Sequence, residues 1–227
     1  MTVRIICFLL FAFSLRAQGF FENLLEFARV HQMPALLFFH FKDASEPFPF
    51  LKEKLSPLFL IVDIPLDNIS NVRRLEESHA LKRHFGVETI PSLLLIGPEG
   101  GLITRFPATA MHPDHLKKSI IGIWTDYACI NTALNKAEAL AVRRIKGLYE
   151  TAVERGFTDF RERLLTLGLD KDDGVYFLLE KYSELVSAGK ADTKEAKQLR
   201  KLILQKDKIG AFQIKTRKSY ETRYGSL

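Results

Sequence analysis

One stretch, Phe85-Gly86-Val87-Glu88-Thr89-Ile90-Pro91-Ser92-Leu93-Leu94-Leu95-Ile96, limits the folds open to this chain more than any other. Pro91 has no N–H to give to a sheet ladder, so it belongs at the very start of a strand. Leu93 to Ile96 lack alternation, the pattern of a strand covered on both faces. Gly97-Pro98-Glu99-Gly100-Gly101 then reads as a tight turn into a second strand, Leu102 to Phe106.

The N-terminus reads as a targeting segment. Arg4 is a short basic region, Ile5 to Phe13 a compact apolar core, and Ser14-Leu15-Arg16-Ala17 a cleavage site. Residues 1–17 therefore form a secretory signal peptide by pattern, too short to span a bilayer as a helix. An uncleaved anchor or a buried strand is the rival reading. Without the signal, Cys129 is the one remaining cysteine, so no internal disulfide can close and the fold rests on its core. The C-terminus, Tyr224-Gly225-Ser226-Leu227, is not an endoplasmic-reticulum retention signal. Secretion across a membrane, into a bacterial periplasm, is the expected location.

Taken in order, Phe20, Leu24, Phe27, Ala28 and His31 at helical spacing predict a helix ended by Pro34. Ala35 to Phe41 reads as a buried central strand. Lys42 to Pro49 is a loop opening a helix through Leu55; Leu58 to Ile64 is a second strand. Ser70 or Asn71 caps a helix through Phe85, stopped by Gly86. Pro113-Asp114 starts another, with Leu116, Ile120, Ile123 and Trp124 on one face. Strand-helix-strand units imply parallel pairing, and the final hairpin adds an antiparallel edge. The order, and the Thr89-Ile90-Pro91 segment before its strand, resemble the thioredoxin family over residues 20 to about 128. A first strand before the initial helix has no room after Ala17.

From Asn131 the chain shows only helical spacing with dense charge. Leu134, Ala137, Leu140, Ala141, Ile145, Leu148 and Ala152 predict one long helix to Gly156. Thr158 caps a second that Gly168 ends, a third runs from about Asp172 to Gly189, and Asp192 with Glu195 forms a capping box for a fourth. The expected architecture is thus an α/β thioredoxin-like fold, a mixed sheet flanked by helices, over 18–130, then an all-α helical bundle over 131–205 and a basic tail over 206–227. The formal charge is +6, and all the positive excess after the signal lies beyond Asn131.

The resemblance implies a cis proline at Pro91 facing a redox turn of Cys-x-x-Cys. Aligning Leu36 to Phe41 with the family's strand puts Ala44-Ser45-Glu46-Pro47 in that turn, and the family's buried acid at Phe38. A hydroxyl or carboxylate cannot shuttle electrons between disulfides, so the expected domain is redox-inactive. Cys129 lies far along the chain from the turn, beside Trp124, Tyr127 and Ile130. It reads as a small buried apolar residue, or else as the site of an intermolecular disulfide that makes a homodimer.

What survives of the family's plan is a platform for extended peptide backbone beside residue 90. Thr89, Ile90 and Pro91, with Phe41, Phe48 and Phe50 around the vacant turn, are the expected peptide-binding residues. Filling the core is the competing role for such Phe side chains. His112 and His115 lack further ligands at metal spacing, and no nucleotide fingerprint or Ser-His-Asp order is present, so no cofactor or metal is expected. Client polypeptides or envelope proteins are the expected partners, not nucleic acid. The tail lysines and arginines, Lys206 to Arg223, read first as a solvated end of the chain and second as a weak contact with an anionic membrane or an acidic client. A redox-inactive thioredoxin-like domain before a helical domain resembles, in architecture, the protein disulfide isomerase relatives that act as chaperones or escorts. The alternative is a disulfide-isomerase-group enzyme acting through Cys129 alone or within a complex.

Overall fold

The computed structural model describes residues 19–41, 48–67, 72–107, 112–172 and 174–206. The expected signal segment and residues 207–227 of the expected tail lie outside them. The chain divides into two compact units, Met1–Thr125 and Asp126–Leu227. The division precedes the boundary expected after residue 130, because Asp126 pairs with Arg155 at 2.8 Å and Tyr127 packs on Phe157 and Phe160.

Along the first unit run α1 (Phe20–His31), β1 (Ala35–His40), α2 (Phe48–Leu55), β2 (Leu60–Pro65), α3 (Val72–His84), β3 (Ser92–Ile96), β4 (Leu102–Pro107) and α4 (Pro113–Leu134), which continues into the second. α1 stops where Gln32 turns left-handed, with φ 50°, and its side-chain amide donates to the Arg29 carbonyl at 2.8 Å. Pro34 then precludes further helix and β1 begins.

Every residue of β1 and β3 is buried. Leu36, Phe38, Leu93 and Leu95 pack with Leu51, Leu55, Phe59, Leu116 and Ile120 on one side of the sheet. Leu37, Phe39, Leu94 and Ile96 pack with Leu24, Ile64, Leu81 and Phe85 on the other. Each such side chain taken from water is worth about 1.5–3 kcal/mol, so these two layers hold the unit together.

The strand order is β2-β1-β3-β4, with β1 and β2 parallel and both other pairs antiparallel. The expectation of parallel pairing therefore holds for β1–α2–β2 and fails at β3, which runs against β1. Strands buried on both faces carry no alternation, and so no local mark of direction. Among the described residues the sheet has four strands, and β2 is an outer one. Leu60 N–H donates to Pro34 O at 2.9 Å and Leu66 N–H to His40 O at 3.0 Å. Even-numbered residues of β2 thus bond β1, and odd-numbered ones face away. Pro65 falls at an outward position, where a missing N–H costs the ladder nothing.

The second unit departs from its expected spans. The long helix expected over 134–156 is interrupted: α4 ends at Leu134, a 3₁₀ turn covers Ala137–Ala139, and α5 (Val142–Arg155) follows extended Leu140 and Ala141. The carbonyls opened by the break have a partner, since Lys171 Nζ donates to Ala137 O at 2.8 Å and Glu138 O at 2.7 Å. Helix α6 (Thr158–Lys171) runs through Gly168 instead of ending there. A Cβ at Gly168 would lie 2.5 Å from the Phe177 ring, so this glycine permits close approach. Helix α7 (Tyr176–Ser187) starts later than expected, after Asp172 accepts the Gly174 N–H at 2.8 Å. Helix α8 (Lys194–Lys206) is capped by Thr193, whose hydroxyl accepts the Ala196 N–H at 3.3 Å, and not by Asp192.

Candidate functional site

The site expected from the sequence lies where β1 ends and β3 begins. The turn residues Ala44, Ser45, Glu46 and Pro47 lie outside the described residues, and Phe48 opens α2. The Ile90–Pro91 peptide is cis, as the resemblance implies. Ser92 pairs with Phe39, the last pair of the antiparallel ladder between the two strands. Phe41 is 49% exposed, Thr89 is exposed, and Ile90 is half-buried against the Leu37–Phe39 layer. Among the described residues, the backbone N–H and C=O of Ile90 have no hydrogen-bond partner. Phe50 turns partly into the layer of Leu36 and Phe38, so its ring serves the core at least in part.

Three residues that sequence reasoning passed over frame this end of the sheet. His40, the last residue of β1, is buried and stacks on Phe38, with centroids 4.9 Å apart and planes at 16°. Its Nε2 lies 2.6 Å from Asp63 Oδ1, and its Nδ1 lies 2.8 Å from the Phe41 carbonyl oxygen. Both ring nitrogens therefore face acceptors. The set is satisfied when the ring carries both N–H groups beside a carboxylate, or when the carboxyl group itself holds the proton. Asp63 is the strand neighbour of Phe38, so a carboxylate stands beside the level where the family has its buried acid.

The third is Arg105 on β4. Helix α3 ends in a Schellman turn: Val87 N–H donates to Lys82 O at 2.9 Å, Gly86 N–H donates to Arg83 O at 3.0 Å, and Gly86 has φ 56°. Arg105 donates from Nη1 to Gly86 O at 3.1 Å and from Nη2 to Phe85 O. A guanidinium at the carbonyl end of a helix is favoured by charge as well as by hydrogen bonding. The polar residues in two apolar strands, His40 and Asp63, were the signal available in the sequence; their meeting depends on the register Phe38↔Asp63.

Cys129 is exposed, which corrects the expectation of a buried apolar residue. It lies on the part of α4 that belongs to the second unit, and Arg144 Nη2 donates to its Sγ at 3.3 Å. Among the described residues, no three His, Cys, Asp or Glu side chains gather as metal ligands, and no helix is long and apolar enough to cross a membrane. His112 and His115 meet ring to ring, with centroids 6.2 Å apart.

No protein-family model matches the sequence. The chain is 24% identical over 202 residues to the thioredoxin-related protein DsbJ of Chlamydia pneumoniae, covering 82% of this chain and 57% of that protein. So long a match extends past Thr125 into the helical unit. Among solved structures, the DsbH oxidoreductase is similar at a TM-score of 0.39 and 16% identity, over 47% of this chain and 81% of that one. Thioredoxin O2 from Arabidopsis thaliana, in the oxidized state, gives a TM-score of 0.34 and 15% identity, over 45% of this chain and 84% of that one. The chain thus pairs a mixed sheet flanked by helices, in the element order expected from the thioredoxin resemblance, with sequence similarity to a thioredoxin-related protein whose length it spans by little more than half.

Proposed function

We propose that this is an extracytoplasmic, redox-inactive thioredoxin-like protein that binds extended segments of client polypeptides beside the Ile90–Pro91 loop. The observation that carries the reading is the backbone of Ile90, unpaired among the described residues and flanked by exposed Thr89, with exposed Phe41 just beyond the end of the neighbouring strand β1. An extended client segment would pair with that N–H and C=O as an added strand, and an apolar side chain of the client would lie on Phe41. Ala44-Ser45-Glu46-Pro47 at the redox position supports binding without turnover, because no thiol lies between the signal and Cys129. The apolar N-terminal segment supports a periplasmic location.

The test is anisotropy titration of fluorescent, reduced and carboxymethylated α-lactalbumin, an unfolded chain that cannot form disulfides. Wild type is expected to bind, and Phe41→Ser to bind about fivefold more weakly, as loss of an exposed aromatic contact implies. Equal affinity of the two proteins would remove Phe41 from the site.

A second reading, a disulfide-isomerase-group enzyme working through Cys129, is favoured by one observation: the thiol is exposed and beside the Arg144 guanidinium. An exposed thiol is also what a disulfide-linked homodimer would need. A single thiol can open a client disulfide but has no second thiol to resolve the mixed disulfide it forms. Catalytic reduction of insulin that disappears in Cys129→Ser would establish the enzyme reading.

A further inference from the structure

We infer that Arg105 is a positioning residue for the client-binding loop: it ties the end of α3 to β4 and so sets where Thr89, Ile90 and Pro91 stand. This rests on the client-binding reading for its consequence, but its geometry is independent of it. Between the Schellman turn of α3 and the first residue of β3 the chain runs through Val87, Glu88, Thr89, Ile90 and Pro91, and Glu88 and Thr89 are exposed. Val87 is buried and fixes one point of this segment. The carbonyls of Phe85 and Gly86 are the last two before it, and both accept from the one guanidinium.

Arg105 is placed to do this by sheet register. It pairs with Leu94, whose side chain lies in the layer shared with Leu81 and Phe85, so Arg105 projects toward the helix end on the same face. Among the described residues β4 is an outer strand, and Arg105 is exposed, so the guanidinium lies at the rim of the sheet. The planar fork spans two successive carbonyls, which an ammonium with one nitrogen cannot do to the same degree. Loss of the fork leaves buried Val87 and half-buried Ile90 as the anchors and lets the exposed Glu88–Thr89 backbone between them shift, moving the Ile90 amide with it. An added strand requires that backbone at hydrogen-bonding distance, so the shift appears as weaker client binding.

The experiment compares wild type, Arg105→Met and Arg105→Lys by backbone amide exchange and by titration with reduced, carboxymethylated α-lactalbumin. In Arg105→Met, the Gly86 and Val87 amides should exchange faster and the Thr89 and Ile90 amide resonances should move. Client affinity should fall about five- to tenfold, the effect of losing a charged hydrogen-bonding pair. Arg105→Lys, which keeps the charge and one donor, should recover part of both. Unchanged exchange and resonances in Arg105→Met would overturn the inference. So would a displaced loop with undiminished affinity, or a lowered melting temperature with binding intact, which is what a merely stabilising residue gives. Wild type that fails to bind, with the loop displaced in Arg105→Met, would overturn the client reading and the binding consequence drawn here, while locating the failure in the function and not in the clamp.

Discussion

His40 Nε2 stands 2.6 Å from Asp63 Oδ1, while Nδ1 of the same ring stands 2.8 Å from the Phe41 carbonyl oxygen. The ring is buried against Phe38, so each of these bonds replaces water it has lost. Asp63→Ala strips one ring nitrogen of its partner and should lower stability by about 1–3 kcal/mol. Asp63→Asn behaves differently. Its amide can donate to Nε2 while Nδ1–H donates to Phe41, leaving a neutral and fully paired ring, so the cost should stay below about 1 kcal/mol. Urea unfolding followed by Trp124 fluorescence checks this, because the chain's single Trp packs on Phe59 in the same unit. Equal losses in the two variants would show that the bond to Nε2 matters less than the carboxylate charge.

Gly168 illustrates the opposite case, where an absent side chain is the requirement. It occupies a helix interior, where glycine costs about 1 kcal/mol relative to alanine. Yet a Cβ there would meet the Phe177 ring at 2.5 Å. Overpacking of this kind costs about 1–3 kcal/mol, so Gly168→Ala should destabilise the helical unit despite its better helix propensity. Gly168→Ala with Phe177→Leu should recover much of the loss, since the smaller side chain vacates the space. Thermal unfolding of the four proteins in the cycle, read by far-ultraviolet circular dichroism, gives the coupling.

These two sites mark how far the sequence can be read. Pro91, the run Leu93–Ile96 and the glycines after it announce a strand and a hairpin by local chemistry alone, and the structure has both. The direction of β3 was not legible, because a strand buried on both faces reads the same either way. Gly168 was ambiguous for a similar reason: glycine marks a helix end and a close approach equally well, and only the position of Phe177 decides. His40 with Asp63, and Arg105 with Phe85 and Gly86, depend on registers between strands and on the return of a helix, which no local window contains. The interruption at 135–141 was hidden because its apolar residues keep helical spacing across the break.

Alkaline pH should weaken the helical unit through two phenols. Tyr149 and Tyr176 each donate to a glutamate, Glu180 and Glu150, at 3.3 Å. Burial, and the negative charges of Glu180 and its neighbours, raise both phenol pKa values well above the ordinary 10.0. A raised pKa means that the folded state favours the protonated phenol. Its contribution is whole below the unfolded value of 10.0 and shrinks as pH climbs from there toward the folded value. Stability of the helical unit should therefore fall above about pH 10. Tyr149→Phe with Tyr176→Phe should flatten that fall, and an unchanged alkaline slope in the double variant would assign it to other groups.

Cys129 separates the binding reading from the enzymatic one. The thiol is exposed, which leaves it open to an added disulfide, and Arg144 donates to its sulfur at 3.3 Å. In a chain cleaved after Ala17, as the N-terminal pattern leads us to expect, it is the sole cysteine. The native protein should therefore react with about one equivalent of an aromatic disulfide reagent, and Cys129→Ser with none. Chemistry should stop there. The mixed disulfide has no intramolecular thiol to attack it, so insulin reduction should show no turnover above the level given by the external reductant, in wild type and Cys129→Ser alike. A turnover rate that scales with the reactivity of Cys129 across these variants would mean that an outside thiol completes the cycle, and the protein would then be an enzyme with a borrowed second sulfur.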